Sequence, residues 1–162
     1  MVKLSTRTRY GIRAVLELAE NYGNGPLRLK IIAQRQEISL KYLEQLMTVL
    51  RSAGFVRSIR GSKGGYLLAK APEKITISDV FHCLEGSVVT VECVENESYC
   101  PRTNDCIARQ VWTEVHKAVM GVLQSITLQN LVDRAKNNKG LSDIGFENEK
   151  EQINLQENGK TN

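Results

Sequence analysis

A mainly α-helical chain with one small β-hairpin is what the sequence predicts, and three observations carry that expectation. Apolar residues recur at helical spacing through most of the first 85 positions. A Gly-rich stretch at 61–65 is flanked by two short runs rich in β-branched and aromatic residues. Beyond residue 106 an apolar seam repeats at intervals close to a heptad. The 162 residues, 41% hydrophobic and 25% charged, give room for one ordinary domain and an appendage, and lie outside the range of disordered chains.

The elements follow in order. Tyr10, Ala14, Val15, Leu18 and Ala19 mark an amphipathic helix from Ser5 to about Asn21. It is stopped by the turn-forming run Asn21-Tyr22-Gly23-Asn24-Gly25-Pro26. A short helix over Leu29–Gln36 follows, joined by Glu37 and Ile38 to a third. Ser39 has the chemistry of an N-cap there, since its hydroxyl can accept from an unpaired first-turn amide. Leu43, Leu46, Met47 and Leu50 form one stripe of that helix, and Gly54 suits a left-handed stop. Phe55–Arg60, the loop Gly61-Ser62-Lys63-Gly64-Gly65 with glycines tolerant of positive φ, and Tyr66–Ala69 read as a hairpin. Three helices and a hairpin within about 65 residues is the element order of a winged helix-turn-helix.

Thr76–Leu84 carries another helical pattern, ended by Gly86. The stretch 87–106 has no helical period and holds three of the four cysteines, Cys93, Cys100 and Cys106, while Cys83 stands apart. From about Asp105 the residues Ile107, Val111, Val115, Ala118, Val122 and Ile126 form the seam, which suits a long C-terminal dimerisation helix. A short helix near Leu128–Ala135 and a disordered tail over 137–162 complete the reading. The predicted units are a DNA-binding domain at 1–72, a connecting helix and cysteine loop at 73–106, a dimerisation helix with its short follower at 107–136, and the tail.

Charge is divided unevenly. Residues 1–72 hold 13 Lys/Arg against 4 Asp/Glu, and residues 73–162 hold 9 against 14. A basic half joined to an acidic one suits a polyanionic partner for the first segment. No apolar run approaches the ~18 residues of a membrane span, and no apolar core follows the basic N-terminus, so a cytoplasmic location is expected. In that reducing compartment clustered cysteines bind metal or sense redox state more often than they form disulfides.

A recognition helix presents polar side chains to base edges from its first turns. Opposite the Leu stripe the third helix offers Ser39, Lys41, Tyr42, Glu44, Gln45 and Thr48. Arg60, beside Gly61, and Lys63 make a thin basic hairpin tip of the kind that enters a minor groove. Arg7, Arg9, Arg13, Arg51 and Arg57 are candidates for phosphate contact. In Cys93-x6-Cys100-x5-Cys106 the thiols suit an iron–sulfur cluster, zinc or copper(I). The spacings are wider than those of most structural zinc sites, so a cluster leads, ahead of an unmetallated redox or structural role and of zinc.

The stretch SLKYLEQLMTVLRSAGFVRSIRGSKGGYLLA resembles the winged helix of the IscR-type family, the iron–sulfur cluster regulators of bacteria. LSTRTRYGIRAVLELA resembles that family's first helix, and the three-cysteine loop before a Trp-containing helix fits it too. The similarity covers roughly residues 1–135. It implies a homodimer with crossing C-terminal helices, bound to a roughly palindromic duplex DNA operator. It implies that Ser39, Lys41, Tyr42 and Gln45 lie at the major groove and Arg60 at the minor groove. Glu44 matches a glutamate that disfavours some sites when no cluster is bound. Cys93, Cys100 and Cys106 would hold the cluster, a [2Fe–2S] centre expected ahead of a [4Fe–4S] one. The fourth ligand departs from the pattern: Arg109 stands where the regulator has histidine, and Arg9 near where some relatives have a partner-donated acid. Cys83, His82, His116, Glu92 and Asp105 are the remaining candidates.

Other readings stay open. The chain could be a cluster-free relative that controls cysteine or sulfur metabolism through a protein partner, or an iron–sulfur carrier or scaffold with a winged helix. An enzyme is not expected, because no Gly-rich phosphate loop, nucleophile elbow or metal-hydrolase signature is present.

Overall fold

A computed structural model describes residues 4–86, 92–103 and 105–138. Helix α1 (Thr6–Glu20) starts at Ser5, whose hydroxyl accepts from the Thr8 amide at 3.2 Å. Helices α2 (Leu29–Gln36) and α3 (Leu40–Ser52) follow, joined through Glu37 in the left-handed region. Ser39 caps α3 as the sequence predicts, accepting from the Tyr42 amide at 3.2 Å. Strands β1 (Val56–Ile59) and β2 (Gly65–Leu68) pair antiparallel, with Val56 opposite Leu68 and Ile59 opposite Gly65. The mainly helical winged helix-turn-helix is therefore the fold adopted.

The side chains that sequence periodicity selects do form the core. Ala14, Val15, Leu18 and Ala19 of α1 meet Ile32 and Ala33 of α2, and Leu43, Leu46, Met47 and Leu50 of α3, all buried. Val56 and Leu68 extend the core into the base of the hairpin. Helix α4 (Ile77–Glu85) adds Ile77, Val80 and Leu84, and packs so closely on α1 that a methyl group on Gly11 would overlap Leu84. A capping box opens α4, with Thr76 and Asp79 bonding each other's backbone amides at 2.9 and 3.1 Å.

The cysteine stretch is not featureless. Residues Glu92–Glu95 form a single helical turn, α5, and Glu97–Tyr99 a 3-10 turn. Helix α6 (Ile107–Ser125) then begins at Cys106, and none of its residues is buried. A last helix, α7, covers 128–138, two residues into the segment that the sequence assigns to the tail. Its Leu128 and Val132 are buried in the same core as α1 to α4.

Three expectations need correction. The hairpin glycines are not there chiefly for positive φ: only Gly61 has it within the loop, at 109°. Gly64 and Gly65 instead sit where backbone strands nearly touch. A Cβ on Gly65 would lie 2.5 Å from the Leu27 carbonyl oxygen, and one on Gly64 would overlap the Ile59 carbonyl. The hairpin also has a third participant, because Leu27 and Tyr66 exchange backbone hydrogen bonds of 2.9 and 2.8 Å. Finally, Ile126 is not part of the seam. It lies past the end of α6 in extended backbone, half-buried against the core, with its carbonyl accepting from the Ile77 amide at 2.8 Å.

Candidate nucleic-acid interface and cysteine stretch

Because the apolar stripe of α3 faces the core, Lys41, Glu44, Gln45 and Thr48 are left exposed on its outer side, with Ser39 exposed at its N-terminal end. Tyr42 differs from these: it is half-buried, and its ring meets Tyr10 of α1 edge-on, with centroids 6.1 Å apart. At the wing, Arg60, Gly61 and Lys63 are all exposed around the loop that joins β1 to β2. A hydrogen bond of 2.9 Å from the Gly64 amide to the Gly61 carbonyl tightens that loop.

The other arginines are not equivalent. Arg13 donates from Nε to the Gln36 side chain at 2.6 Å and from Nη2 to the Gln36 carbonyl at 2.8 Å, so it caps the end of α2. Arg9 and Arg13 both lie over the Tyr10 ring, at 5.9 and 5.4 Å. Arg7, Arg51 and Arg57 are exposed. Behind this surface Glu17 is buried, accepts from Gln36 at 2.6 Å and pairs with Arg35 at 3.0 Å, which fixes α2 on α1.

Arg28 carries no signal of its own in the sequence. It is the N-cap residue of α2, and its Nη2 donates to the Ser62 carbonyl in the wing loop at 2.8 Å.

The three cysteines occupy three local settings. Cys93 lies in α5, Cys100 follows the 3-10 turn, and Cys106 occupies the N-cap position of α6 without a side-chain capping bond; each is half-buried and unbridged. Thr103 holds the Cys100 carbonyl through its hydroxyl at 2.6 Å and its amide at 3.1 Å. Arg109 donates from Nε to the Cys93 carbonyl at 2.8 Å, which ties α5 to the first turn of α6. Thus the residue that replaces the expected histidine works as a strut. Cys106 opens onto a polar cleft of about 390 Å3 that Thr103, Arg109 and Thr113 also line, whereas Cys93 and Cys100 do not reach it. Among the described residues no group of three or more His, Cys, Asp or Glu side chains stands together at metal-holding distance. The donors are the soft thiols a cluster takes, so the residue types fit that group. Among the described residues the three thiols are not brought together.

The fourth-ligand candidates separate on geometry. His116 lies ten residues beyond Cys106 on a helix, a rise of about 15 Å, too far to share one cluster within the same chain. His82 bonds the Gly86 carbonyl through Nδ1 at 2.9 Å at the end of α4. Cys83 packs against the core; burial pushes its thiol up, against a smaller opposing effect of the Arg7 charge. Glu92 bonds Tyr99, and that bond raises the phenol.

Three helices with a hairpin beside an exposed polar third helix place the molecule among winged-helix transcription regulators. The chain belongs to the Rrf2 family, whose model, described as an iron-dependent transcriptional regulator, matches residues 4–134. It is 45% identical over 131 residues to the protein rrf2 of Nitratidesulfovibrio vulgaris, covering 81% of this chain and 87% of that one. The structure of CymR, the global cysteine regulator of B. subtilis, superposes with a TM-score of 0.72 at 43% identity, covering 83% of this chain and 98% of CymR. That of IscR from T. potens gives 0.70 at 41% identity, over 82% and 88%. Among the described residues no helix is long and apolar enough to cross a membrane.

Proposed function

We propose that this chain is a cytoplasmic homodimeric regulator that binds a palindromic DNA operator through α3 and the wing, and that an iron–sulfur cluster held by Cys93, Cys100 and Cys106 sets its DNA binding. The DNA half of this reading rests on the exposed row Ser39, Lys41, Glu44 and Gln45 beside the basic tip Arg60–Lys63. Lys41 and Gln45 supply donors to base edges or phosphates, the Tyr42 hydroxyl joins them, and Arg60 reaches the minor groove with Gly61 and Lys63. Glu44 is acceptor-only when ionised, so it disfavours operators that present acceptors to it.

The dimer half rests on α6. Its Ile107, Val111 and Val122 are 77%, 53% and 58% exposed, an apolar row left open on a long helix. Ala118, Val119, Val122 and Leu123 line a wholly apolar groove on the same helix. A second copy of α6 covers such a surface in the manner of other heptad seams.

The sensing half rests on three unbridged thiols within one short stretch at the foot of α6. When bound, the cluster supplies the redox- and iron-responsive chemistry, and the chain supplies three thiolates and a route from them into the long helix. One experiment tests this reading. Protein purified without oxygen is expected to contain iron and acid-labile sulfide, both lost on changing any of the three cysteines to alanine. Colourless, iron-free protein with full affinity for duplex DNA would instead support the cluster-free reading. In that reading the chain governs cysteine metabolism with a protein partner. Its similarity to the global cysteine regulator CymR favours it. Failure to bind any duplex at moderate salt would return the carrier or scaffold reading.

A further inference from the structure

A wing reaches DNA usefully only if its tip is held at one height relative to the recognition helix. A two-stranded hairpin is marginal by itself, so that height must be set by contacts with the helices. Here the hairpin meets the helix-turn-helix at two points ahead of α2. The lower is the Leu27–Tyr66 backbone pair, with bonds of 2.8 and 2.9 Å. The upper is the 2.8 Å hydrogen bond from Arg28 Nη2 to the Ser62 carbonyl, beside Lys63 and one residue past Gly61. The turn bond from the Gly64 amide to the Gly61 carbonyl closes the tip on itself, but it does not set the height of the tip on the helices; the Arg28 bond is a contact that does.

We propose that Arg28 is a positioning residue for DNA binding: it ties the wing tip to the start of α2 and so fixes where Arg60 and Lys63 enter the groove. Arg28 acts through the wing and not on a base. The acceptor is a main-chain oxygen, so the tether depends on the side chain at 28 and not on the one at 62. The bond joins two exposed groups and adds little to global stability. Its value is to remove conformers of the tip that DNA binding would otherwise have to freeze out.

The inference rests on the DNA-binding reading, and a double-mutant cycle separates the two. The probe is a duplex selected from a random-sequence pool by the unaltered full-length protein, with affinities measured at one fixed salt concentration. Arg28→Ala is expected to weaken binding about tenfold when Arg60 is present and less than about twofold in the Arg60→Ala background. In the free protein, amides 61–65 of Arg28→Ala should exchange faster with solvent, while those of α3 keep their protection. Equal losses in both backgrounds would mean that Arg28 touches DNA independently, and would overturn the proposal. No loss on Arg28→Ala, or unchanged exchange at 61–65, overturns it as well. If the unaltered protein selects no duplex, the DNA-binding reading fails, and the exchange measurement still decides the tether.

Discussion

The winged-helix body and the α6 arm are built on opposite terms. In the body, α1 to α4, the hairpin base and α7 bury their apolar faces against one another within a single chain. Buried polar groups there are partnered too: Thr8 donates to Glu85 at 2.6 Å, and Glu17 is held by Arg35 and Gln36. In the arm none of the α6 residues is fully buried, although Leu123 packs against the core; the helix carries an apolar row in solvent, and Arg109 ties it to the Cys93 carbonyl at its foot. The body closes its core within one chain, whereas the arm leaves its apolar row open. Buried apolar contact, and with it stability, is thus concentrated in the body.

The sharpest way to break that contrast is to place a destabilising change in each region. Leu50→Ala in the body should lower unfolding free energy by about 2–5 kcal/mol, measured by urea titration, without altering self-association below the transition. The pair Val111→Asp and Val122→Asp should do the reverse. The fold survives by circular dichroism, while self-association weakens by at least about 2 kcal/mol, roughly 30-fold, by sedimentation equilibrium. A fully dimeric Val111→Asp/Val122→Asp protein would show that α6 is not the dimer surface.

Smaller changes probe the edge of the body. Gly65→Ala sets a methyl group against the Leu27 backbone and should cost about 1–3 kcal/mol, with the Leu27–Tyr66 amides losing exchange protection first. Glu37 occupies a left-handed conformation, φ 53°, that suits glycine better. Glu37→Gly should therefore stabilise the protein by up to about 1 kcal/mol, read as a higher Tm; a lower Tm would mean that the Glu37 side chain contributes more than its backbone strain costs. The smallest effect belongs to Glu85, whose carboxyl is held below its ordinary value by hydrogen bonds from Ser5 and Thr8, with Arg7 assisting. A carboxyl depressed on folding adds stability above its unfolded pKa and loses it as pH falls through the folded one. Being largely solvated, it contributes less than about 1 kcal/mol. Glu85→Gln should thus be slightly less stable at neutral pH, with the gap closing below the usual glutamate range.

Much of the body was legible because its signals are local. The α3 stripe, the Ser39 cap and the glycine at the end of that helix depend on neighbours within a few positions. What escaped was non-local. Nothing near Leu27 announces that it will pair with Tyr66, 39 positions away, and nothing near Arg28 points to Ser62. The same holds for Ile126, whose spacing fits the seam but whose amide neighbours draw it to Ile77. At the cysteines, spacing specified which thiols share a stretch but not how far they converge, because short turns with few apolar residues leave that distance weakly determined. Arg109 stands where the resemblance implies a histidine, yet nothing in the sequence signals its bond to the Cys93 carbonyl.

The attachment of α6 to the body has a mechanical consequence. The helix is moored at its far end, where Ile126 bonds Ile77 and Leu128 bonds Ile75 at 2.8 and 2.9 Å. Its 19 residues make a rod of about 28 Å with the cysteines at the other tip. A tilt of about 10° about that moored end would carry Cys106 through about 5 Å while hardly moving Ile126. A force applied at the thiols would therefore act with a long arm and would enter the body through Leu123 and the backbone bonds at Ile75 and Ile77.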